Sequence, residues 1–207
     1  MGVFNGLTKL TELSIVGNEI SAIIPGTFQN MSNLERLHLV YKRLEDLDSD
    51  VFSGLVNLKY INLAVNKLQY LHPDMFLGLP NIQNVSLRRN SSLQIPIDHP
   101  FISSHLDISD CNVHSVSGET FANVSALELL DVSFSNVRSV DINILRALPK
   151  LTTLYLHGNW LQCDCQLQEV WRWCQDRIIE TANVECDTLS KVNGMGGGVR
   201  GRAVLTG

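Results

Sequence analysis

The feature of this 207-residue chain that most constrains its fold is an apolar pattern that returns about every 24 residues. The copies follow the pattern L-x-x-L-x-L-x-x-N-x-L, with aliphatic residues at the L positions, apart from Ser103 in the fifth copy, and most often asparagine at N. The copies are spaced by 24 residues, apart from one interval of 21, and begin at Leu10, Leu34, Leu58, Ile82, Ser103, Leu127 and Leu151. Such a period is typical of a solenoid, in which each unit buries its apolar face only against its neighbours.

A second apolar series runs in phase with the first. It consists of Phe4, Phe28, Phe52, Phe76 and Phe121, with Leu145 at the same point of the last full unit. Alternation at x-L-x-L-x predicts a short strand whose leucines point inward and whose intervening residues point outward. The seven units therefore predict an α/β chain: a right-handed solenoid, curved like a horseshoe, with a parallel β-sheet on its concave face and the phenylalanines stacked behind the sheet.

The asparagine of the pattern carries an amide that can satisfy backbone groups left unpaired at the turn after each strand. It recurs as Asn18, Asn66, Asn90 and Asn159. Other residues replace it in three units, where we expect a weaker ladder: Lys42, Cys111 and Ser135. The fourth unit is three residues shorter than the rest, and its serines and prolines predict an irregular loop in its return segment.

The period stops after Asn159, which divides the chain into a solenoid, residues 1–158, and a capping region, residues 159–207. The solenoid starts in mid-unit, without an N-terminal cysteine cap. In the capping region, helical spacing predicts a short amphipathic helix that covers the last unit and buries Leu167, Val170, Trp171 and Cys174. The glycines between Lys191 and Gly201 predict a mobile loop, with a ligand-contacting finger as the alternative.

Four of the five cysteines lie in the capping region, whereas Cys111 stands alone. One residue separates Cys163 from Cys165, fewer than usual between zinc ligands, so disulfides and hence an oxidising compartment are favoured over a metal site. We prefer a bridge between Cys163 and Cys186, which would contribute on the order of 3 kcal/mol. A bridge between Cys165 and Cys174 is disfavoured, because nine residues of helix rise about 13 Å, twice the Cα separation of a disulfide.

Charge and hydropathy exclude two classes of partner. The net charge of −5, without a clustered basic face, argues against nucleic acid. No apolar stretch approaches the roughly 18 residues that would insert into a membrane.

Sequons that could carry glycans lie at Asn30, Asn84 and Asn123. The sequon residue Asn90 instead holds a ladder position, whose amide is needed inside the solenoid.

The 24-residue unit, the phenylalanine series and the terminal element N-x(3)-C-D-C-x-L…W together resemble the extracellular leucine-rich-repeat family over nearly all of the chain. That family includes Toll-like receptor ectodomains and neuronal adhesion proteins. About seven units with one cysteine cap are most similar to the variable lymphocyte receptors of jawless vertebrates. The chain departs from that pattern in lacking a fourth cap cysteine after Cys186 and in having an extra cysteine, Cys174.

The resemblance implies ligand binding on the concave face, without a cofactor. In the C-terminal units the candidate contact residues are mostly acidic or hydroxyl-bearing: His105, Asp107, Ser109, Asp110, Glu128, Asp131, Ser133 and Tyr155. Asp107 and Asp131 occupy the same step of adjacent units, so they should lie side by side, about 4.8 Å apart. Such a patch favours cationic or hydroxyl-rich ligands, including basic protein surfaces and amine-bearing bacterial polymers. We prefer this binding role to the alternative that the charges merely solvate an exposed sheet.

Aspartate, histidine and serine on one face also raise the possibility of an enzyme. We expect none, because an open arc lacks a water-excluding cleft and no nucleophile motif accompanies these residues. The resemblance instead implies recognition of antigens or microbial surfaces by a secreted or cell-surface protein. The alternative is an adhesion or signalling module that binds a host protein through the same face.

Overall fold

The computed structural model describes residues 3–17, 19–41, 43–93, 103–121, 125–177, 179–181, 184–190 and 199–205. The described strands are β1 (Glu12–Ser14), β2 (Arg36–His38), β3 (Tyr60–Asn62), β4 (Asn84–Ser86), β5 (His105–Asp107), β6 (Ser115–Val116), β7 (Leu129–Asp131), β8 (Ser139–Val140), β9 (Thr153–Tyr155), β10 (Leu161–Gln162), β11 (Val184–Ser190) and β12 (Val199–Leu205). The helices are α1 (Gly118–Phe121), α2 (Ile142–Arg146) and α3 (Cys165–Asp176), with a 3-10 helix at Pro73–Phe76.

Seven strands form one parallel sheet in the order β1-β2-β3-β4-β5-β7-β9, which confirms the predicted solenoid sheet. The register is continuous, since Leu13 lies beside Leu37 and the same pairing repeats as far as Leu154. The short interval leaves it intact, because Val85 pairs with Leu106 as its neighbours do. The three missing residues therefore fall after the strand and its turn, in the return segment.

The inward strand residues and the phenylalanines form one core. Leu37, Leu106 and Leu154 are all 0% exposed. Behind them, the rings of Phe4 and Phe28 stack with centroids 5.9 Å apart, and those of Phe28 and Phe52 stack at 6.3 Å. Each buried side chain of this size contributes about 1.5–3 kcal/mol. Stacking thus stabilises units that are too short to fold alone.

Buried asparagines bridge adjacent units. The Nδ2 of Asn90 donates to the carbonyl of Leu87 in its own unit at 2.6 Å and to that of Leu63 in the unit before at 3.1 Å. Its Oδ1 accepts from the N–H of Leu68 at 3.1 Å. Asn66 and Asn159 repeat all three contacts at the same offsets of 3, 27 and 22 residues.

A weaker ladder was predicted at the three positions where asparagine is replaced, and it is confirmed at the two that the structure describes. The hydroxyl of Ser135 makes longer contacts, at 3.4 Å to the carbonyl of Ile108 and 3.3 Å from the N–H of Cys111. Cys111 offers only a thiol, which lies 3.3 Å from the carbonyl of Leu87. The predictions for Asn18 and Lys42 lie outside the described residues.

A second asparagine ladder, which was not predicted, runs along an exposed edge of the solenoid. Asn33, Asn57 and Asn81 each stand directly before the first aliphatic residue of a unit. Each donates its Nδ2 to a backbone carbonyl 25 residues earlier, at 2.8 to 2.9 Å. These single, solvent-exposed bonds add less stability than the buried ladder.

The predicted amphipathic helix is formed by α3, which packs against β8 and α2. Helix α3 begins after Asp164, whose carboxylate accepts from the N–H of Leu167 at 2.8 Å. Leu167, Val170 and Cys174 are buried, and burial raises the pKa of the Cys174 thiol to about 11. Trp171, also predicted to face the core, packs against it half-buried. Beyond the helix, Glu180 pairs with Thr153 and continues the main sheet by one bridge.

The preferred disulfide is confirmed: Cys163 bonds to Cys186, with Cα atoms 5.2 Å apart. Cys165 and Cys174 are both free thiols, the first exposed and the second buried, so the disfavoured bridge is not formed.

The predicted loop from Lys191 to Gly201 is wrong for Val199–Gly201, which belong to β12 and pair antiparallel with β11. The main chain supplies this pairing, which glycine weakens but does not prevent. The rest of that prediction, residues 191–198, lies outside the described residues. So does most of the return segment of the fourth unit, residues 94–102.

We expect Asn90→Ala to lower the free energy of unfolding by about 3 kcal/mol. Three buried backbone groups lose their partner, and each unsatisfied group costs about 1 kcal/mol or more. Urea unfolding followed by circular dichroism measures the change. Asn57→Ala, which removes one exposed bond, is the control and should cost about 0.5–1 kcal/mol. Equal losses in the two variants would show that the buried amide does not hold the units together.

Replacing both bridged cysteines, Cys163→Ala with Cys186→Ala, should lower the free energy of unfolding by on the order of 3 kcal/mol. The bridge closes a loop across a sequence separation of 23 residues, and this estimate is the chain entropy of such a loop. Cys165→Ala removes an exposed free thiol and should leave the urea midpoint unchanged. A double variant as stable as the parent would contradict a stabilising role for the bridge.

Candidate ligand-binding face

The solvent-facing side of the seven-stranded sheet, which we call the sheet face, is formed by the outward residues of each strand. In β5, His105 and Asp107 are half-buried and flank the fully buried Leu106. The same alternation appears in β3 and β4, where only the central residue is buried. The outward residues are therefore partly accessible to solvent, whereas the inward residues are held in the core.

Asp107 and Asp131 are neighbours on this face, as predicted. Asp107 pairs in register with Asp131, and Asp131 pairs in turn with Tyr155. Adjacent strands lie about 4.8 Å apart, so the two carboxylates repel one another at close range. The register alone creates this juxtaposition.

Hydroxyl and amide groups hold the first of these carboxylates. The Oδ1 of Asp107 accepts from the N–H of Ser109 at 3.0 Å and from its hydroxyl at 2.6 Å. The Oδ2 accepts from the hydroxyl of Ser86 at 2.9 Å. Asp131 has a simpler environment, in which Oδ1 accepts from the N–H of Ser133 at 2.9 Å. Hydrogen bonds to an ionised group are the strong ones, and they offset part of the repulsion.

Three predicted contact residues are placed differently by the structure. Ser109 and Ser133 are only 3% and 2% exposed, so they orient the aspartates instead of framing the patch for a ligand. Glu128 precedes β7 and is exposed beside the sheet. Leu129 takes the strand position beside His105, because the inward Leu130 turns both of its neighbours outward.

Asp110 is compensated by a cation from the preceding unit. Its Oδ2 accepts from the Nε of Arg89 at 2.7 Å, and this hydrogen bond and charge raise the pKa of Arg89. The sequence predicts Asp110 as part of the acidic patch and does not identify Arg89 as its partner. Their equal position, directly before a ladder residue, could have indicated the contact.

That position has a left-handed backbone in every unit. The φ angles lie between 52° and 70° at Gly17, Tyr41, Val65, Arg89, Asp110, Phe134 and Gly158. Two of these residues are exposed aromatics, Tyr41 and Phe134, each 57% exposed. Neither was predicted as a contact residue, although both stand in phase with the ladder.

Tyr155 and His105 make local polar contacts. The hydroxyl of Tyr155 donates to Oε1 of Glu180 at 3.3 Å. Desolvation raises the pKa of Tyr155, and the negative charges of Glu180 and Asp131 raise it further. The Nδ1 of His105 lies 2.8 Å from the hydroxyl of Ser104.

The N-terminal half of the sheet face is balanced in charge. Glu12 lies 3.9 Å from the Nε of Arg36 and 3.5 Å from the Nε2 of His38. The guanidinium of Arg36 sits over the ring of Tyr60, 4.9 Å from its centroid. This half of the sheet face therefore offers less uncompensated charge than the C-terminal half, which contains Asp107 and Asp131.

The sequons differ in accessibility. Asn30 is exposed and donates to Oδ1 of Asn5 at 3.1 Å. Asn84 begins β4 on the sheet face and is half-buried, so a glycan there would cover part of that face. Asn123 lies outside the described residues. Glycosylation at all three stays a prediction.

The described residues bring together no group of three or more histidine, cysteine, aspartate or glutamate side chains that could hold a metal ion. The described helices include none that is long and apolar enough to span a bilayer.

The in-register parallel strands, joined by buried amides, define a repeat protein of the solenoid class. Matches to the family described as leucine rich repeat cover residues 1–44, 32–91 and 104–161. These segments include well over half of the chain, which therefore belongs to the leucine-rich-repeat family.

Several known proteins are similar to the chain. It is 28% identical to nephrocan of Mus musculus over 81 residues, which are 39% of this chain and 16% of nephrocan. A solved structure of the Toll–Spatzle complex, a molecular hub in Drosophila development and innate immunity, superposes with a TM-score of 0.62 at 20% identity, covering 84% of this chain and 27% of that one. The leucine-rich repeat domain of APL1 superposes with a TM-score of 0.61 at 22% identity, covering 75% and 41%. The two superpositions show the fold, and the chain spans less than half the length of each of these proteins.

Proposed function

We propose that the chain is a non-catalytic recognition module that binds a cationic ligand on the sheet face. The carrying observation is the in-register pair of Asp107 and Asp131, whose charges meet no lysine or arginine ion pair within the described part of the chain. Charge complementarity of this kind selects partners and speeds their encounter.

The ligand class that we propose is a microbial surface component or a protein antigen with a basic or amine-bearing surface. Like charges on neighbouring strands cost stability, and selection for folding alone would not keep them. Membership of a repeat family supports binding over catalysis, and the aspartates stand at outward positions of a sheet, where a ligand can reach them.

We also propose that the protein acts outside the cell, either secreted or held at the cell surface. The Cys163–Cys186 disulfide supports this location, since such bridges persist in oxidising compartments.

The alternative is an adhesion or signalling module that binds a host protein through the same face. The observation in its favour is the similarity in fold to Toll, which was solved in complex with Spatzle. The two functions use the same residues and differ only in the partner.

Binding to a bacterial wall polymer tests the proposal. We expect the chain to retain teichoic acid that carries D-alanine esters, and to release the same polymer once the esters are hydrolysed, because the free amines then disappear and phosphate charge remains. The double variant Asp107→Asn with Asp131→Asn should weaken binding about tenfold, about 1.4 kcal/mol. Biolayer interferometry at low and high salt measures both effects, and salt should weaken the binding.

The matched control is Asp48→Asn with Asp50→Asn, which changes the net charge equally but lies in a return segment. Both double variants replace carboxylates with carboxamides of the same shape, so circular dichroism should show intact folds. Retention of the hydrolysed polymer, or equal effects of the two double variants, would contradict the proposed patch. Binding of a host extracellular protein that needs Asp107 and Asp131, without any bacterial polymer, would favour the alternative.

A further inference from the structure

The C-terminal end of the sheet face holds a group of aromatic and acidic side chains that we call the Tyr155 cluster: Asp131, Phe134, Tyr155, His157 and Glu180. Tyr155 lies between two carboxylates. Asp131 is its neighbour on β7, and Glu180 on the other side accepts a hydrogen bond from its hydroxyl. The ring of His157 stands 6.1 Å from that of Tyr155 and 4.9 Å from that of Phe134, edge-on in both cases. Three rings and two negative charges thus follow one another through neighbouring contacts at this end of the sheet face.

The charges of this cluster are uncompensated, unlike others on or beside the sheet face. Glu12 has Arg36, and Asp110 has Arg89. Over the described ranges, no lysine or arginine forms an ion pair with Asp131 or Glu180. Among the described residues, only one oxygen of each carboxylate has a hydrogen-bond partner, Oδ1 of Asp131 and Oε1 of Glu180, so the other oxygen can accept from a ligand.

The ring of Phe134 is exposed and held in place. A Cβ atom at position 158 would lie 2.5 Å from its Cδ1, so Gly158 leaves the space in which the ring rests. The ring also makes an edge contact with that of His157. A large aromatic side chain that is 57% exposed gains little from folding, whereas rigid aromatic anchors are typical of binding hot spots.

Within the proposed function, on which this step rests, we infer that the Tyr155 cluster takes an arginine side chain of a protein ligand. The guanidinium would pair with the carboxylate of Asp131 and be attracted by the charge of Glu180, which lies on the other side of Tyr155, while its plane packs on the neighbouring aromatic rings. Arginine fits both features, because its planar fork matches a carboxylate and its weakly hydrated face stacks on rings. A neutral sugar would leave the two charges unpaired, and an anion would be repelled.

A capped decamer of arginine, labelled with fluorescein, is the probe, and the same decamer of citrulline is its uncharged isostere. We expect anisotropy to show binding of the arginine decamer at 50 mM NaCl and none of the citrulline decamer. Phe134→Ala should raise the Kd about fivefold, the effect of losing an exposed cation–π contact. Phe134→Leu should raise it equally, because leucine restores apolar bulk without a π face.

Tyr41→Ala is the matched control. Tyr41 has the same repeat position, the same left-handed backbone and the same exposure of 57%, but lies four units away from Phe134. Its replacement should leave the Kd for the arginine decamer unchanged, and circular dichroism should show that every variant is folded.

The outcomes separate this inference from the proposed function. If Asp107→Asn with Asp131→Asn weakens binding of the arginine decamer but both Phe134 variants bind it normally, the aromatic site is overturned and the acidic face stands. If the alanylated teichoic acid binds but the arginine decamer does not, the inference is again overturned alone. If neither probe binds, both fail.

Discussion

The bridge that each buried asparagine makes to the unit before it is the interaction on which the rest of the structure depends. The amide of Asn90 reaches a carbonyl in its own unit and two backbone groups of the preceding unit, so it fixes the distance between a strand and its turn. Length can then vary only after the ladder residue. The unit that is three residues short shows this, because Val85 still pairs in register with Leu106.

A fixed register arranges the outward residues of the strands in columns, and this is how the sheet face acquires its chemistry. Inward leucines carry the burial, so the outward positions can change without loss of the core. The N-terminal strands use this freedom for balanced pairs such as Glu12 with Arg36. The later strands place Asp107, Asp131 and Tyr155 in successive register, which concentrates negative charge beside aromatic rings.

The periodic part of the structure could be predicted from the sequence, because strand positions, the core and the neighbours Asp107 and Asp131 all follow from one spacing. Helix α3 and the Cys163–Cys186 bridge followed from local spacing as well. Contacts that depend on the path of the turn could not be predicted in this way. Arg89 meets Asp110 because both have a left-handed backbone, and β12 pairs with β11 through main-chain bonds that leave no periodic signal.

The two neighbouring aspartates differ in how many hydrogen bonds they accept from the protein, and therefore in how each could contribute to ligand binding. Both oxygens of Asp107 are occupied by serine donors, three in all, so this carboxylate contributes mainly through its field, which acts over about 10 Å at 0.1 M salt. Asp131 has one such donor among the residues that the structure describes. The carboxylate that is less engaged by the protein is therefore the one beside the rings of the Tyr155 cluster, where a ligand cation could be both attracted by the pair and contacted by one member of it.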